Sequence, residues 1–292
     1  MIKPWSRFPK EILDDIKSHT QLEVKPEKPI GGGDINESYL LSHANGKLFI
    51  KYHEGDYLDM FEAEADGLQA RSVNTPLKVP DVIQFGNTPN YAYLLLEYIP
   101  PYLKASNFWT SFAKGLAQMH KQTNKSFGWA RNNYIGRLPQ TNEFHTTWKD
   151  FYWNERIAPQ LERAYVNGYF KKSEMLRYER FYNNISSVCP DEQPALVHGD
   201  LWSGNFMANV TGKPVLIDPA VSYAHREMDI AMSKLFGGFD DKFYQAYQEV
   251  FPLEKDWWRR MDFYQLYYIL VHLNLFGSSY LARSRDILDK YS

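Results

Sequence analysis

Cysteine is almost missing from this chain, with Cys189 alone among 292 residues. One thiol can neither close an internal disulfide nor build a multi-cysteine zinc site, and it suits a reducing compartment. An excess of one charge is missing too. Lys and Arg number 33 against 35 Asp and Glu, a net charge of -2. No basic field therefore exists to draw in nucleic acid or anionic lipid, and a small partner is expected. Long apolar runs are also lacking: the most apolar late stretch, residues 263–276, is interrupted by Gln265, His272 and Asn274. That argues against a membrane span. Residues 1–7 carry no apolar signal core, so the expected location is cytoplasmic. Repeats and low-complexity tracts are absent.

What the chain does have is aromatic residues, 16% of the total, including 21 Tyr and 8 Trp. Many fall after residue 100. Most must be core, and some could line a sugar-binding cleft. The length suffices for two domains or one bilobal domain with a sizeable core.

The spacing predicts a helix over residues 9–18, then a glycine turn with Gly31, Gly32 and Gly33, then strands over 38–41 and 47–52. Asn45-Gly46 between those strands is a strong hairpin signal. Backbone N–H groups of such a glycine turn can approach phosphate, though a flexible β-turn has the same composition. No Gly-Lys-Ser/Thr follows, so this is not a P-loop. Lys51 ends an apolar strand, where an unpaired ammonium would be costly to bury. On the predicted helix 57–71, Glu64 shares the inward stripe with Phe61 and Leu68, while Glu62 shares its face with Asp59 and Asp66. An inward carboxylate and a strand lysine are therefore expected partners.

A buried strand over 91–99 stops at Pro100-Pro101, which sets a lobe boundary between residues 1–99 and 100–292. Helical patterns follow at 108–121, 148–164, 173–187 and 226–236, and from 242 onward. The expected class is α+β, a small antiparallel-sheet lobe ahead of a mostly helical one.

The most informative segment is Leu196-Val197-His198-Gly199-Asp200-Leu201-Trp202-Ser203-Gly204-Asn205, with Ile217-Asp218-Pro219 beyond it. Asp200 falls in a loop after an apolar strand. Strands over 205–210 and 213–218, joined at Thr211-Gly212, would pair Val210 with Lys213 and hence Asn205 with Asp218. An amide oxygen and a carboxylate would then converge on one cation beside the Asp200 carboxylate, the oxygen ligands that metal-assisted phosphoryl transfer requires.

In this order, glycine turn, strand lysine, helix glutamate, His198-Gly199-Asp200, Asn205 and Asp218 resemble the protein-kinase-like fold. The phrase from His198 to Asn205, Ile217-Asp218-Pro219-Ala220 and the run Tyr223 to Met232 resemble the fructosamine kinase (ketosamine-3-kinase) family over nearly the whole chain. The resemblance implies ATP and Mg²⁺ as cofactors and a small-molecule or protein-bound ketosamine as substrate, phosphorylated on a sugar hydroxyl, the 3-hydroxyl, in deglycation repair. It implies that Gly31, Gly32, Gly33, Lys51 and Glu64 serve the phosphates and that Glu97, Tyr98 and Ile99 receive adenine. Asp200 would orient or deprotonate the hydroxyl, Asn205 and Asp218 would bind Mg²⁺, and His198 and Asp229 would support the loop. Trp202 would shape the sugar pocket or belong to the core. Trp148, Tyr152 and Arg156 share a helix face that fits either a substrate pocket or core packing. Some relatives carry a redox-switch cysteine in the glycine turn; here Asp34 stands in that turn and is expected to face solvent. Between Asp218 and the helix beginning near Arg226 there is no room for a long segment that docks a polypeptide, which argues against a protein kinase. Other readings of the same fold are a kinase for an aminoglycoside, choline or related amino alcohol, and a non-catalytic nucleotide-binding regulator. The sequence does not reveal the oligomeric state.

Overall fold

The computed structural model describes residues 8–31, 36–72 and 75–292. Five antiparallel strands form one sheet in the order β1-β2-β3-β5-β4: β1 Lys25–Pro29, β2 Glu37–His43, β3 Gly46–Glu54, β4 Val82–Asn87 and β5 Tyr91–Glu97. Strand alternation sorts their side chains between two helices. Leu48, Ile50 and Tyr52, with Tyr93 and Leu95, pack on Ile12 and Ile16 of α1, Lys10–Thr20. Ala92, Leu94 and Leu96 face the other way, onto Phe61 and Leu68 of α2, Leu58–Ser72. Each fully buried leucine contributes about 1.5–3 kcal/mol. Lys51 pairs across the ladder with Leu94, so it lies on the α2 face. β1 was not foreseen: its Lys-Pro-Glu-Lys-Pro sequence is wholly exposed, the composition of an edge strand rather than a core one. The β2–β3 hairpin is present, but its two-residue turn is Ala44-Asn45, with His43 opposite Gly46.

The rest is mainly helical: α3 Phe108–His120, α4 Trp148–Phe151, α5 Ala158–Val166, α6 Lys172–Val188, α7 Glu227–Leu235, α8 Asp241–Val250, α9 Met261–Phe276 and α10 Leu281–Tyr291. Three short antiparallel pairs interrupt it. They are β6 Asn133–Ile135 with β7 Leu138–Gln140, β8 Ala195–Val197 with β11 Ser222–Ala224, and β9 Phe206–Ala208 with β10 Pro214–Leu216. The sheet lobe ahead of a helical lobe makes the fold α+β. α9 is the apolar late stretch, buried nearly all round, with Gln265 Nε2 donating to the Ala231 carbonyl at 3.0 Å. No helix among the described residues is long and apolar enough to cross a membrane.

The single helix expected over 148–164 is instead broken by a π-helical stretch, Tyr152–Ile157, between α4 and α5. Pro159 explains it. A proline has no N–H for the carbonyl four residues back and its ring clashes there, and the wider turn relieves that contact. The Glu155 carbonyl accepts from Arg156 Nη1 at 2.9 Å instead.

His225, between β11 and α7, is wholly buried, with Tyr264 and Trp148 rings 5.1 and 5.7 Å away. Burial pushes it down from 6.5 to about 4, Glu192 opposing and Arg226 and Arg260 assisting. The unfolded chain thus takes up a proton near pH 6.5 that the folded chain refuses until about pH 4. Stability is predicted to fall by on the order of 3 kcal/mol over that window. Denaturant melts of wild type and His225→Gln as a function of pH check this. A shallower acid slope in the variant is expected, and equal slopes would refute the assignment.

Candidate active site

The site is built outward from Lys51. Its Nζ donates to Glu64 Oε1 of α2 at 2.8 Å and also ion-pairs with Asp218 Oδ1. The lysine and Glu64 side chains are only 12% and 14% exposed, whereas that of Asp218 is 43% exposed, so Asp218 is the member open to solvent. Burial pulls the ammonium pKa down, but Asp218 and Glu64 more than offset this and hold it above its ordinary value. Lys51 is charged, and Asp218 is held below the carboxylate range against its own burial by that ammonium. Removing either carboxylate would leave a buried charge short of a partner.

The loop carrying Asp200 hangs from a carboxylate. Asp229, at the start of α7 and fully buried, accepts the backbone N–H of His198 at 2.7 Å and of Gly199 at 2.9 Å. His120 Nε2 at the end of α3 donates to the same carboxylate at 3.1 Å, and His120 Nδ1 accepts from Tyr247 OH at 2.7 Å. His198 Nδ1 accepts the Asp200 N–H at 3.2 Å, which makes Nε2 the donor to the Ile217 carbonyl at 2.9 Å. One ring thereby ties the Asp200 loop to the residue before Asp218. Sequence reasoning missed His120 and Tyr247, because a histidine on an apolar helix face carries no signal beyond core packing.

Burial pushes Asp200 up to about 7; Asn205 lowers it by hydrogen bonding, and Asp218 and Asp229 raise it further. Asn205 Nδ2 donates to Asp200 Oδ2 at 2.8 Å and to the Asp200 carbonyl at 2.9 Å.

The expected cross-strand pairing of Asn205 with Asp218 is off by one residue. Phe206 pairs with Leu216 and Ala208 with Pro214, and Asn205 meets Ile217 through Ile217 N–H to Asn205 O at 3.1 Å. Asn209 causes the shift. Its side-chain oxygen accepts the N–H groups of Thr211 and Lys213, both at 3.0 Å, which closes a three-residue loop with Gly212 at φ +72°. A one-residue slip in a strand reverses the side-chain face. The ladder stops at Leu216, however, and Asp218 takes a left-handed φ of +51°. That turn brings its carboxylate to Lys51 and its carbonyl to 3.5 Å from Asn205 Nδ2.

Gly31 is exposed, and a Cβ on it would meet nothing within 4 Å; Gly32, Gly33 and Asp34 lie outside the described residues. β5 ends at Glu97, whose carboxylate accepts from Lys78 Nζ at 2.6 Å and Asp81 N–H at 3.2 Å. Tyr98 and Ile99 run on out of the sheet. Trp202, 37% exposed, covers Gly204 and meets the Phe236 ring edge-on at 6.2 Å. Trp148 and Tyr152, candidates for either a substrate pocket or the core, lie in the core. Their rings stack at 4.9 Å, and Tyr152 OH is committed to the Phe263 carbonyl at 2.7 Å. Arg156 is buried with them, donating to Thr141 O and Asn142 Oδ1, each at 2.7 Å.

The fructosamine kinase family model matches residues 7–292. The chain is 42% identical over 282 residues to a protein of Enterococcus faecium named "Probable ketoamine kinase", covering 96% of this chain and 98% of that one. It is 35% identical over 270 residues to the chloroplastic protein-ribulosamine 3-kinase of Arabidopsis thaliana, covering 90% and 81%. A crystal structure from Haemophilus somnus described as "Putative fructosamine-3-kinase" superposes with a TM-score of 0.87 at 28% identity, covering 97% of each chain.

Gly199 offers a direct check on the loop. It holds φ +84°, and a Cβ there would collide with the Ala220 carbonyl, a backbone atom that cannot swing away. Gly199→Ala is predicted to cost on the order of 3 kcal/mol, read by urea unfolding. Wild-type stability in that variant would contradict the geometry.

Proposed function

The chain belongs to the fructosamine kinase family, and we propose that it transfers the γ-phosphoryl group of ATP to the 3-hydroxyl of a ketosamine. Ribulosamine, erythrulosamine and fructosamine define the acceptor class, and the process is deglycation repair in a reducing, cytoplasmic setting. One observation carries the reading: a single buried ammonium, Lys51, is gripped by carboxylates from two separate segments, Glu64 and Asp218, close to the Asp200–Asn205 pair. The names of the relatives supply the substrate class.

Residues 1–99 act as the nucleotide lobe and 100–292 as the acceptor and catalytic lobe. Gly31, Gly32 and Gly33 offer backbone donors to the phosphates, and Glu97, Tyr98 and Ile99 meet the base through backbone groups. Lys51 neutralises phosphate oxygens while Glu64 fixes its direction. Asp200 orients the sugar hydroxyl and accepts its proton, and a carboxylate pushed up to about 7 is well matched to that exchange near neutral pH. His198 and Asp229 hold the loop so that little reorganisation accompanies transfer.

The donor set fits Mg²⁺. Among the described residues no three His, Cys, Asp or Glu side chains cluster at metal-ligand spacing. A cation would rest on Asp218, the Asn205 amide oxygen and nucleotide phosphates, which is how Mg²⁺ is usually held. The Asn205 amide nitrogen is committed to Asp200, which leaves the oxygen as its ligand atom. When bound, the ion supplies charge neutralisation at the phosphates. Only residues 219–226 separate Asp218 from α7, which favours a small acceptor over a docked polypeptide strand.

Two outcomes test the role of Asp200. Asp200→Asn should lower turnover on a ketosamine about a thousandfold or more with nucleotide affinity little changed, and near-normal turnover would remove Asp200 from the chemistry. In wild type, protonation disables the base, so kcat/KM should climb as pH rises through about 7. A flat profile from roughly pH 6 to 8 would count against it.

A further inference from the structure

We infer that the segment 127–134 is a clamp that fixes Glu64 and Asp218 relative to each other, which makes Trp129, Arg131 and Tyr134 positioning residues for the phosphate-binding lysine. This rests on the reading of Lys51 given above. The acidic stripe of α2, Asp59, Glu62 and Asp66, lies beside the inward Glu64 and has no part in the proposed chemistry. By composition it is a solvated face. In the fold each of its three carboxylates accepts a hydrogen bond from the segment 129–134.

Trp129 Nε1 donates to Asp66 Oδ2 at 2.7 Å, Arg131 Nη2 to Asp59 Oδ1 at 2.7 Å, and Tyr134 OH to Asp59 Oδ2 at 2.8 Å. Arg131 also reaches Glu62 Oε2 at 3.5 Å. These bonds hold one end of the clamp on α2. The other end is fastened to the chain just after Asp218. Gly128 and Tyr223 exchange two backbone hydrogen bonds, both 2.9 Å, and Asn133 Nδ2 donates to the Val221 carbonyl at 2.8 Å. The Trp129 and Tyr223 rings lie 5.6 Å apart. α2 sits directly on the same segment: a Cβ on Gly67 would come within 3.0 Å of Pro219 and 3.2 Å of Val221. Glu64 and Asp218, the two partners of Lys51, are therefore tied through one short loop.

These contacts differ in weight. Asp59 is 68% exposed, and an exposed pair alone contributes little. The half-buried indole N–H on the Asp66 carboxylate is charge-assisted and directional, and it carries more of the restraint. The lysine site is thus assembled by structure already in place, without an activation segment to order it. A purely structural loop would affect stability and both substrates alike. A clamp on Glu64 and Asp218 acts selectively on the nucleotide.

The test is steady-state kinetics of the full chain with ATP and a ketosamine, comparing wild type, Trp129→Phe, Asp66→Asn and the double variant. Each single change should raise the KM for ATP about tenfold and leave the KM for the ketosamine within about twofold. The double variant should be no worse than either single one, because the two groups act as one unit. In a second arm, Arg131→Asp should weaken ATP use and Asp59→Arg in the same chain should restore it. Unchanged ATP kinetics in folded variants, equal effects on both substrates, or additive losses would overturn the clamp. Asp66→Asn, at a half-buried helix position, decides the matter if Trp129→Phe impairs folding. Failure of the functional reading is distinguishable, since wild type itself would then transfer no phosphate from ATP to a ketosamine.

Discussion

One ammonium, removed from water and held between two carboxylates, organises this molecule. Burying the Lys51 charge alone would cost several kcal/mol, so the chain tolerates it only where Glu64 and Asp218 arrive together. Those two residues come from α2 and from the turn after β10, far apart in sequence. The pair therefore couples the sheet lobe to the helical lobe electrostatically. Packing around it serves that meeting: alternation along β3 turns Lys51 toward α2, and the fit of Gly67 on Pro219 and Val221 sets the helix depth.

The second half of the site is held by backbone rather than by exposed pairs. Asp229 takes two main-chain N–H groups of the His198-Gly199 turn and is itself braced by His120. His198 then links Asp200 to Ile217. All of these groups are buried or nearly so, where each hydrogen bond is stronger and each loss more damaging than at the surface. A loop set this way is organised before any substrate arrives. Left-handed backbone at Gly199 and Asp218 marks the two points where the chain turns sharply to present a carboxylate.

Much of this was legible in the sequence because the chemistry is costly to disguise. A lysine in an apolar strand needs an acid, and Glu64 was the inward one on α2. The His-Gly-Asp phrase, Asn205 and Asp218 announced themselves by type and spacing. What was missed has physical causes. The Asn205–Asp218 register slipped by one because Asn209 folds its own side chain into the loop, and a count of strand residues does not anticipate that. Trp148 and Tyr152 could not be assigned to pocket or core from helical spacing, since a core helix and a lined cleft share one periodicity. The π-helical stretch follows from Pro159, which the apolar periodicity of 148–164 does not register. His120, Tyr247 and the clamp residues act at long range, and nothing local to them betrays their partners.

The decisive question is where the phosphate goes. Purified protein incubated with ATP, Mg²⁺ and model ribulosamine, erythrulosamine and fructosamine, with products followed by ³¹P and ¹³C NMR, gives the direct answer. A phosphate monoester on O3 of a ketosamine, formed by wild type and lost in Lys51→Met, is the predicted result. No ester on any ketosamine, or transfer to an aminoglycoside instead, would contradict it.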